Sequence, residues 1–139
     1  MGQSPRYTLA ELESLTKSSV ELAYQAERLA EQASRFEVTE LTNSAHLLAH
    51  HAFSLGTQAW KLRHDFNKGA NAPDRVVLRD EYGQLLTAYE KIQGHFDEAV
   101  INNVNVEQLE SELETIREDG RAVYRAISAF EFEVVANPF

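Results

Sequence analysis

The run Leu41, Ala45, Leu48, Ala52, Leu55, Ala59, Leu62, Phe66 constrains this chain more than any other, because its apolar residues recur at alternating spacings of four and three with no polar interruption. At 3.6 residues per turn that spacing draws one continuous apolar stripe down a helix, whereas a half-buried strand would alternate every second residue. A helix with one such stripe must bury it against other helices. Three further stripes of the same period supply them: Leu12, Leu15, Ser19, Leu22, Ala26, Leu29, Ala33, Phe36; then Leu78, Tyr82, Leu85, Tyr89, Ile92, Phe96, Ala99; then Val106, Leu109, Leu113, Ile116, Gly120, Val123, Ile127, Phe130. The expected fold is all-α, an antiparallel up-down four-helix bundle with helices over roughly 8–36, 39–67, 74–100 and 105–134. Small Ala and Ser positions on the first two helices face Tyr and Phe on the third, so large residues can fill the space that small ones leave.

Start and stop signals fit this partition. Thr8 with Glu11 reads as a capping box with Tyr7 and Leu12 as its hydrophobic staple, and Asn105 with Gln108 repeats the logic with Val104 and Leu109. The segment Asn67 to Asp74 holds a Gly, a Pro and two Asn and reads as a turn, as does Val100 to Asn105. Between the first two helices only Val38-Thr39 argues for a break, with Thr39 as a cap. The rival is a continuous helix from Thr8 to Phe66, which would be about 88 Å long and would rotate its stripe by about 80° at the step from Phe36 to Leu41. The break is the expected outcome. Near the other end, Phe130 to Val135 alternates with period two, in competition with helical spacing.

At 139 residues, 43% of them apolar and 25% charged, the chain suits one domain able to bury its own core, with residues 1–7 and 136–139 expected as flexible ends. A net charge of −9 disfavours polyphosphate, since nucleic-acid affinity rests on Lys and Arg that displace counterions. Neither nucleic acid nor membrane is expected as a partner. Absence of Cys removes disulfides, thiolate metal sites and thiol catalysis. The compartment is not specified: Met1 to Tyr7 is too short and polar for a secretory signal, so the cytoplasm fits, as does the periplasm if a leader has been removed.

Catalytic signatures are missing from the sequence. There is no glycine-rich phosphate loop and no Gly-x-Ser-x-Gly, and none of the five histidines follows a Glu by three residues as di-iron bundles require. The acidic series Glu107, Glu110, Glu112, Glu114, Glu118, Asp119 is interleaved with Arg117, Arg121 and Arg125, the pattern of a solvated, charge-laced face. No cofactor is expected. His46 and His50, four apart on the second helix, are nonetheless spaced as a zinc or copper pair, and an antiparallel third helix brings His95 near the level of His46, with Glu110 of the fourth helix as a further ligand. Those four residues are the metal alternative.

The stretch Ala45-His46-Leu47-Leu48-Ala49-His50-His51-Ala52-Phe53-Ser54-Leu55-Gly56 resembles the histidine phosphotransfer domains of bacterial phosphorelays, which are acidic helical bundles of about this size. Ala45-His46, Leu48, Ala52 and Leu55-Gly56 carry the resemblance, while Ala49 and His50 stand where that family usually places Lys and Gly. The resemblance implies His46 as phosphoacceptor.

A second apolar strip on the same helix, Ala49, Phe53, Gly56, Trp60, admits two readings: a widened core face, or a contact surface for another protein or a second copy. The second makes the chain a non-enzymatic interaction or structural module, with self-association as one form of it, and it is the leading functional expectation.

Overall fold

A computed structural model of the chain describes residues 9–66, 74–101, 106–128 and 138–139. Four helices account for nearly all of them: α1 Leu9–Arg35, α2 Thr39–Phe66, α3 Asp74–Ile101 and α4 Val106–Ser128. Seven of the eight helix ends lie within a residue of their expected places, and α4 is described to Ser128 against an expected 134. The caps at Thr8 and Asn105, the turn through 67–73 and the stretch 129–137 fall outside the described residues, so the expected end of the last helix does too.

The break between α1 and α2 is real, and it is made by backbone geometry. Glu37 takes a left-handed φ of 59°, which turns the chain so that Val38 N–H donates to Ala33 O at 2.9 Å and Glu37 N–H to Ser34 O at 3.0 Å. These are the two bonds of a Schellman end, here without its usual glycine. Val38 then opens α2, its carbonyl accepting the Thr42 amide at 2.9 Å and the Thr42 hydroxyl as well. Val38 is therefore the capping position, and Thr39 is the first helical residue.

Helix α1 packs against α2 and α4, and α2 packs also against α3, all antiparallel, which makes a four-helix bundle. The four stripes meet in one core in which Leu12, Leu22, Leu41, Leu48, Leu55, Leu85, Leu113 and Ile116 are fully buried. Side-chain size sets the spacing. Small buried residues line the seam between α1 and α2, Ala23, Ala30 and Ala49 among them, and Gly56 lies so near α1 that an added Cβ would stand 3.2 Å from Val20 Cγ2 and 3.3 Å from Ser19 Cβ. On α3, by contrast, Tyr82, Tyr89 and Phe96 fill the interior. The α1–α2 edge is tight, and the opposite α3–α4 edge stands wider, bridged by long side chains. Burial, with Tyr124 nearby, keeps the Tyr82 phenol protonated far above its ordinary range.

Candidate functional site

The outer face of the α1–α2 edge carries most of the residues that sequence reasoning singled out. On α2 the positions Gly56, Ala49, Trp60 and Phe53 fall at about −20°, 0°, +20° and +40° around the helix axis, taking Ala49 as zero. Burial follows that order: Gly56 and Ala49 lie under α1, whereas Trp60 is 51% and Phe53 60% exposed. The strip is thus neither wholly core nor wholly surface. Its two small members allow α1 to approach, and its two aromatic members stand beyond the line of contact.

Helix α1 adds an exposed pair of its own, Val20 at 42% and Tyr24 at 63%. Together the two helices border an open groove floored by Ala23, Ala30 and Ala49 and walled by Tyr24 and Phe53, with Glu27, Glu31, Arg28, Arg35, His46 and His50 around its rim. Farther along the same edge Trp60 stacks on His64, with ring centres 5.8 Å apart and planes 11° from parallel, beside Leu9 and Arg63. Arg63 reaches back to Glu13 at 3.3 Å. Sequence reasoning missed Val20 and Tyr24. The signal was available, since they are two apolar residues four apart that lie off the α1 stripe, the same signature as the aromatic pair on α2.

The histidines divide between two sides of α2. His46 is half-exposed and points to α1, where its Nδ1 lies 3.0 Å from Glu27 Oε1 and 3.2 Å from Oε2. His50 lines the same groove. His95, however, meets Ser44, Nδ1 to Oγ 3.0 Å, and its Nε2 lies 3.4 Å from Glu40. Ser44 and His46 are two residues apart, hence about 200° apart around the helix, so His95 shares a level with His46 while facing another side. Glu110 is exposed on α4, a helix that packs on α1. The four metal candidates are therefore not gathered, and among the described residues no three His, Cys, Asp or Glu are grouped to hold an ion. His51 makes its own pairing with Glu81 across α2 and α3 at 3.5 Å.

Chemically the groove offers an apolar floor, aromatic walls and a rim of mixed charge. Arg35 is spent on Glu31 at 3.3 Å and Arg28 leans toward Glu112 of α4 at 3.9 Å, so neither guanidinium is aimed into the groove centre. Among the described helices none is long and apolar enough to cross a membrane. No protein family matches the chain, and no curated protein or solved structure shows significant similarity to it.

Proposed function

We propose that this chain is a non-enzymatic interaction module whose contact surface is the outer face of the α1–α2 edge. The observation that carries the reading is the exposure of the three large aromatic side chains Tyr24, Phe53 and Trp60 along one edge of the bundle. At about 200 Å² per aromatic side chain, their uncovered fraction amounts to about 350 Å², a sizeable part of the roughly 800 Å² that one partner contributes to a stable complex. Tyr and Trp are also among the residue types most enriched at binding hot spots.

A second copy of the chain suits this face best. Tyr24 and Phe53 project while Ala23, Ala30 and Ala49 recede, so a two-fold axis would set the aromatics of one copy over the alanines of the other. The rim holds both signs of charge, Glu27 and Glu31 with Arg28 and Arg35, and can complement itself despite the net charge of −9.

The test is sedimentation equilibrium over a wide concentration range on the wild type, Phe53→Ser, Trp60→Ser and Tyr24→Ser. Self-association is expected in the wild type and loss of it in the variants, with denaturant midpoints nearly unchanged because these side chains are already half-exposed. Emission from Trp60, the sole tryptophan, should shift to the red on dilution. A wild type that stays monomeric with concentration-independent emission would refute pairing through this face.

One contact favours phosphotransfer at His46 as a second reading. A carboxylate on Nδ1 holds the imidazole in the tautomer that leaves Nε2 with its lone pair, and His46 is half-exposed. Phosphorus NMR after incubation with phosphoramidate should then show a phosphohistidine that His46→Gln removes, and absence of that signal in the wild type would retire the reading.

A further inference from the structure

Two carboxylates stand on the α1 rim of the groove, and they are balanced in different ways. Glu31 is met by Arg35, a permanent cation, at 3.3 Å. Glu27 is met by an imidazole, with His46 Nδ1 3.0 Å from its Oε1 and 3.2 Å from its Oε2, and among the described residues it has no other ion-pair partner. Arg28 beside it turns to Glu112 of α4 at 3.9 Å. An imidazole is a cation only while both ring nitrogens hold protons, so the balance at Glu27 changes with pH and that at Glu31 does not.

The pair also stands where a partner would cover it. Phe53 follows His46 by seven residues on α2, about 20° from it around the helix and about 10 Å along it, and both line the groove. Tyr24 and Glu27, three apart on α1, are surface neighbours on that helix. Each member of the pair is therefore next to one aromatic wall, and a second copy that covers Tyr24 and Phe53 covers the pair with them. In the single chain both side chains are wet, His46 54% and Glu27 55% exposed. Removing that water from a carboxylate is costly unless a cation faces it, and the net charge of −9 on each copy adds repulsion to the cost.

We propose, on the basis of pairing through this face, that self-association takes up one proton per chain at His46, so that mild acid closes the dimer and mild base opens it. Nδ1–H donates to Glu27, which leaves Nε2 as the nitrogen that gains the proton from water. The pair then enters the interface as imidazolium and carboxylate, with no net charge. Neighbouring groups do not take over this role. On α2, His50 has no carboxylate against it among the described residues and meets the edge of the His51 ring, centres 5.1 Å apart. On α1, Glu31 and Arg35 hold each other and Arg28 is drawn toward α4. From α3, His95 faces Ser44 and Glu40 on another side of α2.

Sedimentation equilibrium at about pH 6 and about pH 8, on either side of the ordinary imidazole range, tests the coupling on the wild type, His46→Gln, Glu27→Gln and Glu40→Gln. Uptake of a proton by each copy should make the wild-type dimer about tenfold tighter or more at the lower pH. His46→Gln should lose that dependence. Glu27→Gln should also lose it and should pair more tightly than the wild type at the higher pH, since no carboxylate is left to balance. Glu40→Gln removes the same charge from outside the groove and should keep the wild-type dependence, which separates the local pair from general charge repulsion. Circular dichroism should show all four proteins equally helical, because the replaced side chains are largely exposed. A wild type that pairs equally at both pH values, or a His46→Gln dimer that keeps the full dependence, would overturn the coupling while leaving the pairing intact. A wild type monomeric at both pH values would instead refute the pairing itself, and the coupling with it.

Discussion

Gly56 on α2 has surroundings very different from those of Gly83 and Gly94 on α3, and replacing each by alanine converts those surroundings into a melting temperature. Around Gly83 and Gly94 on α3 an added Cβ would meet nothing within 4 Å. Alanine there should simply collect the helix-propensity difference, about 1 kcal/mol per site. For 139 residues, at about 2.1 cal/mol/K of unfolding entropy per residue, 1 kcal/mol corresponds to about 3 °C. The two positions are separated by about 16 Å along the helix, beyond the usual range of coupling, so Gly83→Ala with Gly94→Ala should add to about 6 °C. At Gly56 the same methyl would stand 3.2 Å from Val20 Cγ2, 3.3 Å from Ser19 Cβ and 3.4 Å from the Thr16 carbonyl oxygen. Those distances are shorter than the optimum of about 3.5–4.0 Å, so the propensity gain is offset and Gly56→Ala should leave the midpoint almost unmoved. Gly56→Leu should lower it, with an overpacking cost of about 1–3 kcal/mol. Calorimetry on the wild type and the five variants decides the matter. A gain for Gly56→Ala equal to that for Gly83→Ala would refute the close approach of α1 and α2, and a loss at Gly83 or Gly94 would mean that the outer face of α3 is covered in solution.

Two further outcomes follow from the charges. Burial first, then Glu21 and Glu118, raise the Asp119 pKa above its usual value, so the folded state holds its proton to higher pH than the unfolded chain; stability from this group is present at low pH and declines as pH rises through the raised pKa. Asp119→Asn should therefore raise the melting temperature at neutral pH and flatten its fall across the acidic range, as thermal melts over a pH series would show. Saturating zinc or copper should leave the melting temperature unchanged, because His95 faces Ser44 and Glu40 while His46 faces Glu27; a concentration-dependent rise abolished by His46→Ala would contradict that separation.

How much was legible in the residues depends on whether a feature is local to one helix. The stripe of α2 contains its own period, so the helix and its buried face could be read from it, and the short connections between helices implied the antiparallel arrangement. The break at Val38-Thr39 was weaker, because the device that makes it, a left-handed Glu37, lacks the glycine that would have announced it. The strip Ala49, Phe53, Gly56, Trp60 was read as a single unit, yet the line between covered and exposed falls through it. That line is drawn by α1, whose closeness is set by Gly56 meeting Ser19 and Val20. Likewise His95 was placed at the right level and the wrong azimuth: loop position predicts the first, but the second depends on how α3 is rotated about its axis.

Gly120 shows the same limit from the opposite direction. In a stripe that reads Leu113, Ile116, Gly120, Val123, Ile127, the glycine is a missing side chain at a core position. A close-packed interior does not tolerate such a hole, so the pattern alone says that some other group must fill it. Which group cannot be read locally, because the helical period ties Gly120 only to residues three and four away, and Phe139 comes from a separate part of the chain. A gap in an otherwise regular apolar stripe is thus a question that the sequence poses and tertiary structure answers. In this bundle the two glycines at stripe or strip positions are closed over in different ways: at Gly56 by a neighbouring helix, leaving aromatics stranded outside it, and at Gly120 by the ring of Phe139.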